Sequence, residues 1–381
     1  MNGRDPAFLA ESRALVEVLR RHASLAVLHA SPEWPALEPR LRTLLSTVRR
    51  APPGREPLPA RDPARVRAVH WNIEHGNGYL EIERALGGHA ELAAADLLTL
   101  NEVDLGMARA GNRDVAGDLA RALGLYAAWA PLFLETTPGR HDDARAAAGR
   151  ANEEALFGIA LLSRWPIGEV RIVELPSPHR FQFDTEGMYG RFVALVAGIE
   201  RPGAPFVGIS VHLDVHRTRR DRAEQVRVLV EHLAGERRPI VIGGDFNSHT
   251  FDRGRWWHPA VGALVLGTWP EAPLRRRLLW PERGPAREPL FDALHAAGFR
   301  WEPHVDREPT LHLQFTRVPE AGGPLAWPLA QPLLARAERR ALLRLDWFAG
   351  RGWQGGRGAT VTGLGGPGGA SDHAPIVADF W

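Results

Sequence analysis

The sequence contains no cysteine and no lysine. Without cysteine there is no disulfide framework, no thiolate nucleophile and no cysteine-ligated zinc, so a bound metal has only oxygen and imidazole ligands. All 47 basic residues are therefore arginine, and 45 acidic residues nearly balance them to leave a net charge of +2. This balance does not favour nucleic-acid binding through bulk charge, although a local arginine patch is compatible with it.

Long apolar runs are also absent. No stretch of about 18 consecutive apolar residues occurs, which argues against a membrane span. The N-terminal stretch is interrupted by charge every few residues, unlike a secretory signal, so we expect a cytoplasmic protein. With 381 residues, 44% of them hydrophobic, the chain is long enough for one large domain with additions or for two ordinary domains.

The first 60 residues predict a helical extension with a proline-rich linker. Apolar residues recur at spacings of three and four over residues 6–29 and again over residues 33–50, which indicates a helical hairpin. The stretch APPGREPLPARDPA then predicts an extended, exposed segment. Nothing in residues 1–60 has catalytic spacing, so we expect packing or partner contact there and assign residues 61–381 to a second unit.

From Arg65 onward, short apolar runs bounded by polar residues and glycine predict strands of four to eight residues. Helical stretches closed by glycine, such as NRDVAGDLARALG and RDRAEQVRVLVEHLAG, lie between some of them. The mixture indicates a layered α/β fold with one or two sheets and helices outside. Residues 251–288 are rich in tryptophan, arginine and proline without clear periodicity, which predicts an irregular insertion.

Polar side chains follow several predicted strands at the point where the strand ends. In PIVIGGDFNSHT, an apolar run and two glycines lead directly into Asp245 and Asn247. Because Phe246 separates them, both side chains can point the same way, and strand ends are where α/β proteins place their chemistry. The other strand-end candidates are Asn72, Glu74, Glu102, His212, Asp346, Asp372 and His373.

Each of these residues has an ordinary structural interpretation when taken alone. Asn72 can cap a strand end, Glu102 can lie at a helix start, and Asp346 can pair with a surface arginine. Together they suit phosphoester hydrolysis, which needs a hard cation on one or two carboxylates and a further carboxylate that positions water. An imidazole held by an aspartate completes such a site, and no covalent nucleophile is needed.

The motifs WN, NE, HLD, GGDFN, LDWF and SDH, with GIALLSRWPI among them, resemble in this order the endonuclease/exonuclease/phosphatase (DNase I-like) superfamily. The resemblance covers about residues 65–381. It implies a four-layer α/β sandwich of two packed mixed β-sheets flanked by helices, and it makes residues 61–381 the catalytic domain. It also implies a divalent-metal-dependent hydrolase of phosphoester bonds that uses Mg²⁺, with Mn²⁺ as the alternative.

The resemblance further implies which residues hold the metal and the attacking water. Glu102 resembles the principal magnesium ligand of the family. Asp372 and Glu74 stand where relatives place further acidic residues near the metal. Asp245 resembles the residue that orients or deprotonates the attacking water.

The remaining candidates resemble the family's phosphate-binding groups. Asn247 matches the residue that steadies the phosphate or the water, and Asn72 matches the residue that holds the water-positioning aspartate. His373 resembles the phosphate-binding histidine, which Asp346 would orient. His212 occupies the place of a second histidine that contacts the phosphate in several branches and aids the leaving group.

Several functions stay open at this point. Asn101 stands where relatives usually have glutamine, and Ile159 stands where many have asparagine, so the substrate side departs from the family pattern. The chain is compatible with a phosphodiesterase or nuclease, with a phosphomonoesterase on a small or lipid phosphoester, and with a non-catalytic binding module. A nuclease would present arginines and aromatic surfaces. The insertion offers both, in Trp256, Trp257 and residues 275–277, although tryptophans more often pack into cores.

Overall fold

The computed structural model describes residues 5–56, 59, 62, 64–140, 142–177, 181–253, 255, 257–314, 327–366 and 368–381. In this part of the chain, two mixed β-sheets pack face to face with helices outside them. This architecture confirms the predicted four-layer α/β sandwich. None of the described helices is long and apolar enough to cross a membrane.

The larger sheet is mixed. Its described strands are β1 (Arg49–Ala51), β2 (Val66–Asn72), β3 (Leu97–Leu105), β4 (Tyr126–Glu135), β5 (Leu156–Ser163), β7 (Met188–Gly190), β14 (Gly356–Thr360) and β15 (Ile376–Phe380). Their order is β1-β4-β5-β3-β2-β15-β14, and β7 pairs with β4. Strand β2 is parallel to β3 and antiparallel to β15. Asn72, at the end of β2, pairs with Asn101 in the middle of β3.

The smaller sheet is also mixed. It contains β6 (Ile167–Glu174), β8 (Val193–Ile199), β9 (Phe206–His212), β10 (Ile240–Asp245) and β13 (Asp346–Arg351), in the order β13-β10-β9-β8-β6. Strands β8, β9 and β10 are buried along their whole length because one face meets the larger sheet and the other is covered. A separate two-stranded sheet pairs β11 (Leu311–His312) with β12 (Leu342–Leu343).

The described helices are α1 (Pro6–Leu19), α2 (Leu25–His29), α3 (Trp34–Leu45), α4 (Tyr79–Gly88), α5 (Val115–Leu123), α6 (Asp142–Ala147), α7 (Arg219–His232), α8 (His258–Thr268), α9 (Glu271–Leu279), α10 (Leu290–Ala296) and α11 (Trp327–Arg340). Helix α5 begins where Asp114 accepts a hydrogen bond from the backbone of Gly117. Helix α7 begins with a reciprocal capping box between Thr218 and Asp221. Both helices were predicted from the sequence.

Two hydrophobic cores cover the two faces of the larger sheet. Leu97 of β3 and Val241 of β10 belong to the core between the sheets. Leu15 of α1 and Leu41 of α3 belong to the second core, together with Leu98 of β3. The N-terminal helices therefore share a core with the sandwich, because their apolar faces pack onto the same surface as α4 and α5.

Two expectations about local structure need correction. Residues 251–288 are not irregular, because α8 and α9 lie within them. Helix α8 is apolar on most sides and therefore lacks the amphipathic period that indicates a helix. The predicted first helix of the N-terminal hairpin is divided between α1 and α2. Residues 57, 58, 60, 61 and 63 of the proline-rich connector and Trp256 of the insertion lie outside the described residues.

Candidate active site

Four strand ends bring polar residues to one place between the sheets. Asp245 ends β10, and its register partner on the parallel strand β9 is His212. The antiparallel strand β13 begins with Asp346 directly opposite Asp245. Asn72 ends β2 of the facing sheet, and its side chain reaches across to Asp245. The pleat and the strand directions thus gather residues that lie far apart in the sequence.

Asn72 joins the two sheets through its side-chain amide. Its Nδ2 atom donates to Oε1 of Glu102 at 3.0 Å and faces Oδ2 of Asp245 at 3.3 Å. Its Oδ1 atom accepts the backbone N–H of Glu74 at 3.2 Å. One buried amide therefore fixes the positions of both carboxylates.

Glu102 occupies an irregular point of β3. The register between β3 and β5 shifts between Leu100 and Val103, and Glu102 adopts a left-handed backbone with φ of 54°. Glu74 and His75 are left-handed as well, with φ of 44° and 67°. Such conformations are costly for residues other than glycine and cluster at functional sites. The bulge turns the Glu102 carboxylate towards Asn72.

The SDH loop is anchored to the end of β2. Ser371 donates from Oγ to the carbonyl of Asn72 at 2.7 Å and accepts the N–H of His373 at 3.1 Å. The backbone N–H of Asp372 donates to Oε2 of Glu74 at 2.9 Å. In this arrangement the Glu74 carboxylate holds the Asp372 backbone, which sets where the Asp372 side chain can reach.

Asp346 is fully buried between two histidines. Its Oδ2 atom lies 2.7 Å from Nδ1 of His373, and its Oδ1 atom lies 3.0 Å from Nε2 of His70. A carboxylate only accepts, so both imidazoles donate to it, and Nδ1 of His70 lies within hydrogen-bond distance of the Thr99 hydroxyl oxygen, at 3.1 Å. This network fixes the ring of His373.

The charges of this pair stabilise each other. Burial alone would raise the pKa of Asp346, but the positive charge of His373 holds it well below its usual range. Burial alone would lower the pKa of His373, but Asp346 and then Asp372 raise it well above its usual range. His373 is therefore protonated at neutral pH and presents a positive charge to the site.

Asp245 lies at the centre of the constellation. Its Oδ1 atom accepts the backbone N–H of Asn247 at 2.8 Å. Its Oδ2 atom faces Nε2 of His212 at 3.6 Å and Nε2 of His373 at 3.8 Å, in addition to the amide of Asn72. Oδ1 of Asp245 is thus hydrogen-bonded to the backbone, and Oδ2 faces the side chains of Asn72, His212 and His373.

Asn247 and His212 each lie near a different oxygen atom of the Asp245 carboxylate. Asn247 is left-handed, with φ of 47°, and its Nδ2 atom donates to the carbonyl of Leu213 at 2.8 Å. Burial lowers the pKa of His212, so this imidazole is neutral at neutral pH. Its Nδ1 atom is buried and finds no hydrogen-bond partner among the described residues.

Two groups of residues could hold a cation. Asp245, Asp346 and His373 offer ligand atoms that all lie within 4.8 Å of one another. A cation there would have to displace the hydrogen bond between Asp346 and a protonated His373, so this group suits a proton better than a metal. Burial, followed by the charge of Asp372, raises the pKa of Glu102 to about 8. The nearby charge of Asp372 and the burial of Glu102 both disfavour the ionised form of Glu102, and a hard cation beside this carboxylate would relieve that cost.

Some functional residues were not singled out from the sequence. His70 lies two positions before Asn72 on β2, so strand alternation gave a signal for it. Asn101 was noted only as a departure from the family pattern on the substrate side, but it also supports the site by accepting the backbone N–H of Asp245 at 2.8 Å. His75 lies 3.5 Å from Oε2 of Glu102, and burial followed by the charge of Arg109 lowers its pKa to about 3. No periodicity in the sequence indicates the last two contacts.

The insertion exposes arginine and tryptophan near the loops that follow β9 and β10. Trp257 is 38% exposed, so its alternative assignment to the core is wrong. The guanidinium of Arg255 lies 5.0 Å from its ring centre. A cleft of about 570 Å³ is lined by the arginines of this region together with one aspartate: Arg219, Arg220, Arg255, Arg287 and Asp252. The cleft is therefore positively charged.

The sequence assigns the protein with this fold and buried polar site to a known family. Residues 69–373 match the model of the Endonuclease/Exonuclease/phosphatase family. Because the match spans most of the chain, the protein belongs to this family. No curated protein matches the sequence.

Several solved structures are similar to this chain at low sequence identity. An endonuclease/exonuclease/phosphatase family protein from Leptotrichia buccalis has a TM-score of 0.50 at 12% identity, over 83% of this chain and 99% of that chain. The endonuclease/exonuclease/phosphatase from Beutenbergia cavernae gives 0.49 at 18%, over 83% and 71%. The human Nocturnin catalytic domain gives 0.45 at 16%, over 83% and 93%. At these identities the substrate stays open.

Proposed function

We propose that the chain is a divalent-metal-dependent phosphodiesterase that cleaves its substrate by direct attack of water. The observation that carries this proposal is the position of Asn72, whose amide holds both Glu102 and Asp245. A carboxylate suited to a cation and a carboxylate suited to water are thereby fixed side by side. The charged pair of Asp346 and His373 faces the second of them.

Glu102 and Asp372 would hold the metal. They suit a hard, oxygen-preferring cation, for which Mg²⁺ is the first choice and Mn²⁺ the alternative. When bound, the cation would neutralise the phosphoryl oxygens and the charge that develops during hydrolysis. Glu74 supports Asp372 through its backbone, and direct contact between Glu74 and the metal stays a prediction.

Asp245 would orient the attacking water and accept its proton. Its Oδ1 atom is tied to the backbone of Asn247, so the carboxylate cannot rotate freely. Its Oδ2 atom points into the space shared with His212 and His373. A positioned base of this kind typically contributes about 10² to 10⁴-fold to the rate.

The two histidines would bind the phosphate differently. His373 is protonated and held by Asp346, so its Nε2 atom offers a charged hydrogen bond to a phosphoryl oxygen. His212 is neutral, and its Nε2 atom faces the same carboxylate oxygen of Asp245. A neutral imidazole can contact the phosphate or the leaving oxygen without adding to the charge that His373 supplies.

The arginine cleft favours a phosphodiester with further phosphates over an isolated phosphomonoester. It follows the loops after β9 and β10, the strands that end at the site. A nucleic-acid strand would place its flanking phosphates against such a surface. The alternative of a non-catalytic binding module is less well supported, because strained backbone and paired buried charges are costly to keep without chemistry.

A substrate panel tests this proposal. Bis-p-nitrophenyl phosphate, p-nitrophenyl phosphate, single-stranded DNA and RNA are incubated with the protein and Mg²⁺, with and without EDTA. We expect hydrolysis of the diesters, loss of activity with EDTA, and little turnover of the monoester. Hydrolysis that resists EDTA, or turnover of the monoester alone, would contradict the proposal. His373→Gln should be nearly inactive, whereas Arg84→Gln on the exposed side of α4 serves as a control.

Two further proposals come from the sequence. We propose a cytoplasmic location, which fractionation of the native host would test. We also propose that residues 1–60 are an extension without a catalytic role. Their helices pack onto the sandwich, so their removal should change stability more than chemistry.

A further inference from the structure

A pocket of about 240 Å³ opens beside the proposed phosphate site. Glu102 and His212 belong to the site and also line this pocket, so the two spaces are continuous. Apart from these two residues and His75, which lies 3.5 Å from Glu102, no residue of the lining has a role in the proposed hydrolysis. The pocket is therefore placed to receive the part of the substrate that is attached to the phosphate.

The walls of the pocket are aromatic. Phe133 of β4, Phe157 of β5 and Phe192 line it together with Met188. The ring centre of Phe133 lies 6.2 Å from that of Phe157 and 5.3 Å from that of Phe192, the latter at an interplanar angle of 82°. The three rings pack against one another at these angles and form an apolar wall of the pocket.

Three buried polar atoms in the lining find no hydrogen-bond partner among the described residues: Oε1 of Gln182 and Nδ1 of both His75 and His212. Gln182 is 3% exposed, and its Oε1 atom finds no hydrogen-bond partner in the described part of the chain. His212 is 7% exposed, and the same holds for its Nδ1 atom. Buried polar atoms are nearly always paired in native proteins, so unpaired atoms that line an open pocket are free to form hydrogen bonds with a ligand in that pocket.

The charge and size of the pocket limit what it can bind. Its lining carries four carboxylates but only two guanidinium groups: Glu102, Glu135, Asp143 and Glu186 against Arg109 and Arg140. One of these guanidinium groups, that of Arg109, is already bonded to Glu135 at 2.6 Å and to Asp104 at 2.9 Å. A second phosphate would be repelled here, and a lipid tail or a duplex is too large for the volume.

We infer that this pocket binds one nucleobase of the substrate, next to the phosphodiester that is cleaved. A nucleobase is planar, uncharged and of suitable size, and its amino or ring N–H groups can donate to Gln182 Oε1 while its faces pack on Phe157 and its neighbours. This inference rests on the proposed phosphodiesterase function. It adds that the substrate is a nucleotide or a nucleic-acid strand and that base contact contributes to recognition.

Matched dinucleotides test the inference. One dinucleotide carries both bases, and in two others a tetrahydrofuran residue replaces either nucleoside, so that charge and scissile bond are unchanged. The measured quantity is the ratio of kcat/KM for the complete dinucleotide to that for each abasic one. We expect the wild-type ratio to exceed unity for one of the two positions by about tenfold or more, as expected for stacking and a hydrogen bond.

Gln182→Leu keeps the size of the side chain and removes the unpaired acceptor. If Gln182 accepts a hydrogen bond from the base, the ratio of kcat/KM for the complete dinucleotide to that for the abasic one should be about tenfold lower in this variant, the loss expected for one hydrogen bond. Phe157→Leu should lower the ratio by removing a stacking surface. Phe206→Leu is the matched control, because Phe206 is fully buried between the sheets and does not line the pocket.

Binding without catalysis separates this inference from the proposed function. In EDTA, calorimetry should detect adenosine binding to the wild type and weaker binding to Gln182→Leu, with no detectable binding of ribose. Adenosine binding without hydrolysis of any phosphodiester would refute the proposed function and leave the pocket assignment intact. Hydrolysis without base preference, or a Gln182→Leu variant that only gains melting temperature, would overturn the pocket assignment.

Discussion

Replacing Asp346 with asparagine isolates the role of the buried histidine pair. The carboxylate accepts hydrogen bonds from His373 at 2.7 Å and from His70 at 3.0 Å. The amide of the variant has the same shape but only one acceptor atom, so its NH₂ group must face one of the two imidazoles. Asp346→Asn also removes the negative charge that keeps His373 protonated.

The size of the effect follows from complete burial. Breaking a buried ion pair by removing one partner costs about 3–5 kcal/mol. Asp346 has a lowered pKa, so its contribution is present above about pH 4 and is lost as pH falls through the folded-state pKa. His373 has a raised pKa, so its contribution is present below about pH 6.5 and is lost as pH rises through the folded-state pKa. The unfolding free energy that Asp346→Asn loses relative to the wild type should therefore be largest between about pH 4 and 6.5.

Urea unfolding in EDTA at several pH values, together with kcat on bis-p-nitrophenyl phosphate, measures both consequences. We expect kcat to fall by about 10² to 10³-fold, as for the loss of one preorganised charge. Asp379→Asn is the matched control, because Asp379 pairs with the half-buried Arg67 and should cost about 1 kcal/mol or less. Equal stability losses in the two variants, or a wild-type kcat in Asp346→Asn, would refute the reasoning.

Three other predictions concern stability. Burial lowers the pKa of His304 to about 4, so this one histidine should account for about 2 kcal/mol of the unfolding free energy that the wild type loses between pH 7 and 5, and His304→Phe should lose less than the wild type by about that amount. Gly244→Ala should destabilise β10 and abolish activity, because a Cβ atom there would lie 2.1 Å from the carbonyl oxygen of Val211; thermal melting checks this. Leu41→Ala in α3 should cost about 2–5 kcal/mol while the folded fraction keeps its kcat, and a loss of kcat at unchanged stability would contradict a purely structural role for the N-terminal helices.

The strand ends were predictable because their sequence pattern follows from burial. Strands such as β10 are covered on both faces, so they are short apolar runs, and the polar residues that follow them stand out. Asp245 and Asn72 could be placed at such ends from the sequence alone. The alignment of the two packed sheets could not be predicted from the sequence, because it depends on packing between residues that lie far apart in the chain.

The irregular backbone of the site could not be predicted from the sequence, because tertiary contacts impose it. Glu102 faces Asn72 because of a bulge and a left-handed backbone, which tertiary contacts impose against local preference. His70 acquires its role only when β13 brings Asp346 opposite it. Helix α8 was missed because its apolar residues surround the helix, and a period appears only when one face is polar.

The most direct test of the account is the initial rate of phosphodiester hydrolysis as a function of Mg²⁺ concentration for the wild type, Glu102→Gln and Asp245→Asn. We predict that the wild type needs Mg²⁺ and that Glu102→Gln needs more of it and is partly rescued by excess. Asp245→Asn should keep the wild-type dependence on Mg²⁺ but lose about 10² to 10⁴-fold in rate at every concentration. Rescue of Asp245→Asn by metal, with none for Glu102→Gln, would contradict the division of labour between the two carboxylates.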